Sequence, residues 1–181
     1  MLIIIEGMDK TGKSTLCNYL LKNLPDAFLL KNGEKPKDDS KEERDKIKSA
    51  YEKIFDAYSS SFKNSVLIVD RFLISEFVYS YKRGYEAMKD RELLDMIDKL
   101  YYMNALIIYC NVDKKIIEKK FIEDKEDYTK VEEIEYLLKR YDISLSLFEK
   151  IPKITYNYTI TTPEQVARKI KQMIEAKKNE Y

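Results

Sequence analysis

The chain has 181 residues, 44% of them hydrophobic, which is enough for one continuous core and short for more than one domain. Lysine and arginine total 33 against 32 aspartates and glutamates, and this net charge of +1 excludes a nucleic-acid or membrane-surface binder driven by bulk positive charge. There is no histidine, so Ser-His and Cys-His nucleophiles and His-containing zinc sites are excluded, leaving carboxylates, lysines, arginines, hydroxyls or a hard metal to do any chemistry.

Leu2 to Ile5 is an unbroken apolar run, as expected for a central parallel strand covered on both faces, and is too short to span a membrane. With Cys17 and Cys110 far apart and reading as buried thiols, this predicts a cytoplasmic protein with no membrane partner. Leu16, Cys17, Leu20, Leu21 and Leu24 fall at helical spacing and stop at Pro25-Asp26. Ala27 to Leu30 follows as a second strand, and 31–39 as a polar loop. Ile47, Ala50, Tyr51, Ile54, Phe55 and Tyr58 mark one face of a helix over 41–60.

Ser65 to Val69 is a further strand, closed by Asp70 and followed by helical stretches over 74–82 and 92–100. Ala105 to Cys110 is the strongest strand candidate. Residues 113–150 are helical with a break near 124–129, and 155–160 alternates as a fifth strand. Thr162-Pro163-Glu164 starts the last helix, a threonine cap with proline in the first helical position. Strands alternating with helices throughout predict an α/β fold with a mainly parallel sheet of about five strands, helices on both faces, and one domain over 1–181.

Between the first strand and helix, Gly7-Met8-Asp9-Lys10-Thr11-Gly12-Lys13-Ser14 fits the P-loop pattern, in which backbone N–H groups cradle phosphates, a lysine reaches the β and γ oxygens and a hydroxyl binds Mg²⁺. This predicts a P-loop NTPase fold. The residues taken as binding ATP are Gly7, Met8, Asp9, Lys10, Thr11, Gly12, Lys13, Ser14 and Thr15. A GTPase would carry Asn-Lys-x-Asp after a late strand, whereas this chain has Asn111-Val112-Asp113-Lys114, and the length suits a kinase of a small substrate better than a motor.

A second constellation, Asp70-Arg71-Phe72, lies at the C-terminal end of a strand, where open α/β sheets bind ligands. Asp70 can orient an acceptor or join Ser14 in holding Mg²⁺ through water. Arg71 can grip a phosphate with both arms of its guanidinium. On these residues alone a surface Asp-Arg pair closing a strand remains open.

Here the chain resembles the thymidylate kinases and related deoxynucleoside monophosphate kinases. The resemblance is carried by Glu6-Gly7-Met8-Asp9, by the run from Asp70-Arg71-Phe72 through Ser75-Glu76 to Tyr79, and more weakly by Thr161 to Val166. It implies that Asp9 lies near the acceptor sugar, that Arg71 binds the acceptor 5′-phosphate and that Tyr79 crowds the 2′ position; without the motif, Tyr79 reads as a core aromatic. It implies also that Lys10 contacts the transferred phosphoryl group, consistent with a helical lid near 113–130 that holds lysines but no arginine. Where the family has Arg-Glu-Pro, this chain has Glu34-Lys35-Pro36, so Lys35 replaces a fork with a point charge. Glu76 stands near the base, where a carboxylate accepts from a ring N–H or exocyclic amine. Tyr51 and Phe55 are both candidates to stack on the base and both equally candidates for the core.

The expected activity is therefore ATP- and Mg²⁺-dependent phosphorylation of a deoxynucleoside 5′-monophosphate, dTMP first, with Lys13, Lys10, Arg71 and Asp9 as the catalytic set and Asp9, Lys35, Tyr51, Phe55, Asp70, Arg71, Ser75, Glu76 and Tyr79 around the acceptor. The rivals are a deoxynucleoside kinase using Glu34 as base and a P-loop nucleotide switch. A homodimer is implied by the resemblance, through helices near 41–60 and 74–100.

Overall fold

The computed structural model of the protein describes residues 1–31, 40–84, 88–124 and 129–178. Five parallel strands, β1 (Leu2–Glu6), β2 (Ala27–Lys31), β3 (Val66–Asp70), β4 (Leu106–Cys110) and β5 (Lys153–Tyr156), form one sheet in the order β2-β3-β1-β4-β5. Between them run α1 (Lys13–Asn23), α2 (Lys41–Ala57), α3 (Leu73–Arg83), α4 (Asp90–Tyr102), α5 (Lys114–Asp124) and α6 (Ile134–Leu147), and α7 (Pro163–Lys178) follows the last strand.

The apolar runs of the central strands feed two separate cores because a strand turns successive side chains to opposite faces. Leu2 and Ile4 of β1, Leu67 and Val69 of β3, and Ile107 and Tyr109 of β4 pack with residues of α2, α3, α4, α5 and α6. Ile3 and Ile5, Val66 and Ile68, and Leu106, Ile108 and Cys110 pack instead with α1 and α7. The edge strands are less buried, and Phe28 of β2 covers its exposed ring against Phe62 at 4.8 Å.

The helix expected over 41–60 is α-helical to Ala57 and then widens into a π turn over Tyr58–Phe62, where Ser60 turns its hydroxyl back onto the Asp56 carbonyl at 2.7 Å. The fifth strand is shifted from its expected place. It pairs Lys153 with Ile107 through Tyr156 with Cys110, and residues 157–160 turn away, with Ile160 N and Thr161 N both donating to Asn157 O. Tyr158, whose alternation suggested a strand, packs its ring on Gly12. The last helix begins as expected: Thr162 Oγ1 accepts from Gln165 N, and Gln165 Oε1 accepts from Thr162 N.

With β3 on one side of β1 and β4 on the other, the chain changes direction across the sheet at β1. The crevice beyond the C-terminal ends of the strands opens there. The phosphate loop leaves β1 and Arg71 leaves β3, so hydrogen bonding between neighbouring strands places the two motifs together.

Candidate active site

The loop from β1 to α1 is shaped by three positive backbone angles, Gly7 (φ 140°), Lys10 (φ 66°) and Gly12 (φ 89°). A Cβ at Gly7 would lie 2.2 Å from the Cys110 carbonyl oxygen, and one at Gly12 would lie 2.8 Å from the Tyr158 ring, so both positions need glycine for space and angle together. Gly12 caps α1 without a side-chain acceptor, and the first turn carries no acidic residue. The unpaired N–H groups at that helix end are thus suited to an anion. Thr11 Oγ1 donates to Met8 O at 2.7 Å, closing the loop.

Lys13 is buried and donates to the same carbonyl of Met8, with Asp9 Oδ1 3.8 Å away. Burial, and then the neighbouring Arg71 charge, lowers its pKa to about 8. Ser14 and Thr15 are exposed in the first turn of α1.

Arg71 follows β3 with φ 69°, a left-handed angle that costs a non-glycine residue roughly 1–2 kcal/mol and so must be held from outside. Its backbone N–H donates to Ile5 O at 3.0 Å. One guanidinium nitrogen reaches Gly7 O at 3.3 Å, Ser75 Oγ at 3.2 Å and Tyr141 Oη at 3.4 Å, and the other makes an ion pair with Asp9. The guanidinium also lies 5.5 Å from the centre of the Tyr79 ring. Tyr79 is buried, edge-on to Tyr141, and burial raises its pKa to about 12, so it is a neutral phenol. Asp9, Arg71, Ser75 and Tyr79 are therefore brought together beside the phosphate loop.

Two members of this cluster had no role in the sequence reading: Glu6, named there only as part of the motif that leads into the phosphate loop, and Tyr141. Glu6, fully buried at the end of β1, accepts from Phe72 N at 2.7 Å, Ser75 N at 3.1 Å and Ser75 Oγ. Burial pushes its carboxyl up, and those donors together with Arg71 pull against that rise. Its signal was present, since the strand's period of two puts residue 6 on the same inward face as Leu2 and Ile4, where a carboxylate must find donors. Tyr141, also fully buried, stacks on Tyr109 with ring centres 5.6 Å apart and brings its hydroxyl to Arg71 and Ser75. At helical spacing among Ile134, Leu137 and Phe148, it reads as one more core residue.

The remaining predicted residues fall as follows. Lys10 pairs with Asp124 at the end of α5, 2.9 Å away. Tyr51 and Phe55 are both buried, edge-on to Phe72 with ring centres 4.9 and 5.4 Å away, so both rings stand in the core behind that residue. Glu76 is buried in the first turn of α3. Lys35 and Glu34 lie outside the described residues, as do residues 125–128 of the expected lid. Asp70 Oδ1 is buried with no hydrogen-bond partner among the described residues, and together with the exposed Ser14 hydroxyl it gives a donor set of hard oxygens that fits Mg²⁺.

A parallel sheet with a phosphate loop at its switch point and an arginine and carboxylate ending the adjacent strand defines a P-loop NTPase fold. No protein-family model matches the chain. It is 30% identical over 141 residues to the SPbeta prophage-derived uncharacterized protein YorR of Bacillus subtilis (strain 168), covering 77% of this chain and 79% of that protein, and the chain belongs to the family of YorR. It is 28% identical over 160 residues to the thymidylate kinase of Schizosaccharomyces pombe, covering 77% of this chain and 74% of that enzyme. Among solved structures, YorR in complex with phosphorylated GDP superposes with a TM-score of 0.73 at 24% identity, over 99% of this chain and 98% of that one. The deoxyadenosine kinase of M. mycoides, with dCMP and dCDP bound, gives 0.53 at 17% identity over 97% and 100%.

Proposed function

We propose that the protein transfers the γ-phosphoryl group of ATP to a deoxynucleoside 5′-monophosphate, with dTMP the first acceptor. The observation that carries this reading is the placement of Arg71, a permanently charged fork held by Asp9 beside the phosphate loop, with the Tyr79 ring beneath it. An acceptor phosphate gripped there stands next to the γ-phosphate of a nucleotide bound at the loop. An acceptor oxygen forms the new bond to the γ-phosphorus as the bond to the β–γ bridging oxygen breaks, and ADP leaves. The acceptor oxygen is already ionised, so no general base is required, and the work is positioning and charge neutralisation.

Lys13 and Lys10 offset the charge of the transferring group, and the N–H groups of Gly7 to Thr15 hold the donor phosphates. Ser14 and Asp70 would hold a Mg²⁺ whose charge offsets that of the β- and γ-phosphates. Ser75 supports Arg71, Lys35 adds a point charge for the acceptor phosphate, and Tyr51 and Phe55 stand behind Phe72 as the apolar wall of the acceptor side. Lid closure by the 113–130 segment, a homodimer and a cytoplasmic location belong to the same reading. The free, buried Cys17 and Cys110 suit a reducing compartment, and among the described residues no helix is long and apolar enough to cross a membrane.

A guanine deoxynucleotide is the second reading for the acceptor. The relative YorR is solved with phosphorylated GDP, and the buried Glu76 carboxylate suits the ring N–H and exocyclic amine of guanine. ADP release measured with ATP and Mg²⁺ against dTMP, dUMP, dGMP, dCMP, dAMP and the free nucleosides separates the possibilities. The proposal expects turnover with monophosphates and none with nucleosides. Turnover with nucleosides alone would make it a deoxynucleoside kinase, and ADP release that ignores every acceptor would make it a nucleotide switch.

A further inference from the structure

We propose that Glu6 is the positioning residue of the acceptor arginine: its buried carboxylate ties the turn that carries Arg71 to the strand that carries the phosphate loop. This rests on the reading of Arg71 as the ligand of the acceptor phosphate. A carboxylate at a fully buried position of the central strand is costly where an isoleucine would serve the core, so its partners indicate what it is there to hold. All of them lie on one short stretch of chain, Phe72 to Ser75, immediately after Arg71.

The left-handed Arg71 is consequently pinned on both sides by β1. Its own N–H donates to Ile5 O, and the next N–H, of Phe72, donates to Glu6 Oε1. Successive residues of β1, Ile5 and Glu6, fix the angle, and the next residue, Gly7, opens the phosphate loop and accepts from the Arg71 guanidinium.

The side-chain network has one direction of donation. Arg71 only donates and the Glu6 carboxylate only accepts, so the Ser75 hydroxyl between them gives its proton to Glu6 Oε2 and receives from Arg71 Nη1 and Tyr141 Oη. Glu6 thus orients the oxygen on which the guanidinium rests. The Gln amide at the same place would keep one acceptor for the backbone N–H groups but would put a donor against Ser75, turning that hydroxyl toward Arg71.

The test compares Glu6→Gln, Ser75→Ala, Arg71→Ala and the Glu6→Gln/Arg71→Ala pair, measuring KM for dTMP and for dGMP, the Kd for ATP and the thermal midpoint. Glu6→Gln and Ser75→Ala should each raise the acceptor KM by roughly ten- to a hundredfold, the scale of one lost charge-assisted hydrogen bond, with the ATP Kd held within about twofold. Once Arg71 is absent, Glu6→Gln should no longer move the acceptor KM, because the residue acts through the guanidinium. The inference is overturned if Glu6→Gln acts equally with and without Arg71, weakens ATP as much as the acceptor, or leaves acceptor KM unchanged while Arg71→Ala raises it. If Arg71→Ala itself leaves the acceptor KM unchanged, the acceptor reading of Arg71 falls and this inference with it. Glu6→Ala opens a cavity beside unpaired N–H groups and can lose the fold, so Glu6→Gln, which keeps the shape, carries the decision.

Discussion

Lys13 is a cation placed where burial and the Arg71 charge both oppose it, and its pKa of about 8 against an ordinary 10.5 has consequences of fixed sign. Between those two values the unfolded chain holds the proton more firmly than the folded one, so this group's contribution to stability rises with pH across that window, and its full cost is present below about pH 8. Bound phosphates favour the charged lysine. ATP binding should therefore take up a proton above about pH 8, and affinity should fall toward roughly tenfold per pH unit. Calorimetry in buffers of different ionisation enthalpy reads this directly, and Lys13→Ala should abolish the slope and lower turnover by roughly a hundredfold or more. Tyr79 carries a second prediction at this scale. If its bulk excludes a 2′-hydroxyl, dUMP should be a much better acceptor than UMP, and Tyr79→Phe should keep the preference. Tyr79→Ala also removes the ring beneath Arg71 and weakens both acceptors, so the ratio of their kcat/KM values is the measurement; it should narrow by roughly ten- to two-hundredfold. Equal use of UMP and dUMP by the unaltered protein would remove Tyr79 from sugar selection.

At the scale of elements, the phosphate loop meets α5 through the Lys10 and Asp124 pair, and Lys10 stands at a backbone angle that glycine adopts without cost. Lys10→Gly is therefore a clean removal of charge, with the backbone relieved. Turnover should fall with little change in either Michaelis constant if the lysine acts only as charge develops on the transferring group. The loss of a partly exposed ion pair should cost the fold at most about 1 kcal/mol. A silent Lys10→Gly with a slow Lys119→Ala or Lys120→Ala would move the role to the lid. The loop, α1 and the three central strands were legible because a fixed spacing of glycines and unbroken apolar runs each have one structural meaning. β5 was misplaced because its partner β4 sets its register, and the alternation at 155–160 comes from Tyr156 and Tyr158 serving the core and the loop. The roles of Glu6 and Tyr141 were missed for a similar reason: their partners are more than sixty residues away, at Ser75 and Arg71, so the strand's alternation marks Glu6 as an inward carboxylate without showing what it holds, and no local pattern distinguishes Tyr141 from the core.

Across the whole molecule, the three central strands β1, β3 and β4 supply both cores, one against α1 and α7 and the other against the remaining helices. Neither core can be lost without exposing the back of the sheet that supports the other. Heat should therefore unfold the chain in one cooperative transition, with near-ultraviolet dichroism of the tyrosines and far-ultraviolet dichroism of the helices coinciding. The phosphate loop is anchored to β1 at the centre of that sheet, so a ligand bound there reports on the whole cooperative unit. ATP at about a hundred times its Kd should add about 2.7 kcal/mol, which for a chain of this size raises the midpoint by roughly 5–11 °C. Lys13→Ala should abolish most of that shift while leaving the ligand-free transition single and cooperative. Two separate transitions, with ATP moving only one, would show that the two layers unfold independently and that the nucleotide site belongs to just one of them.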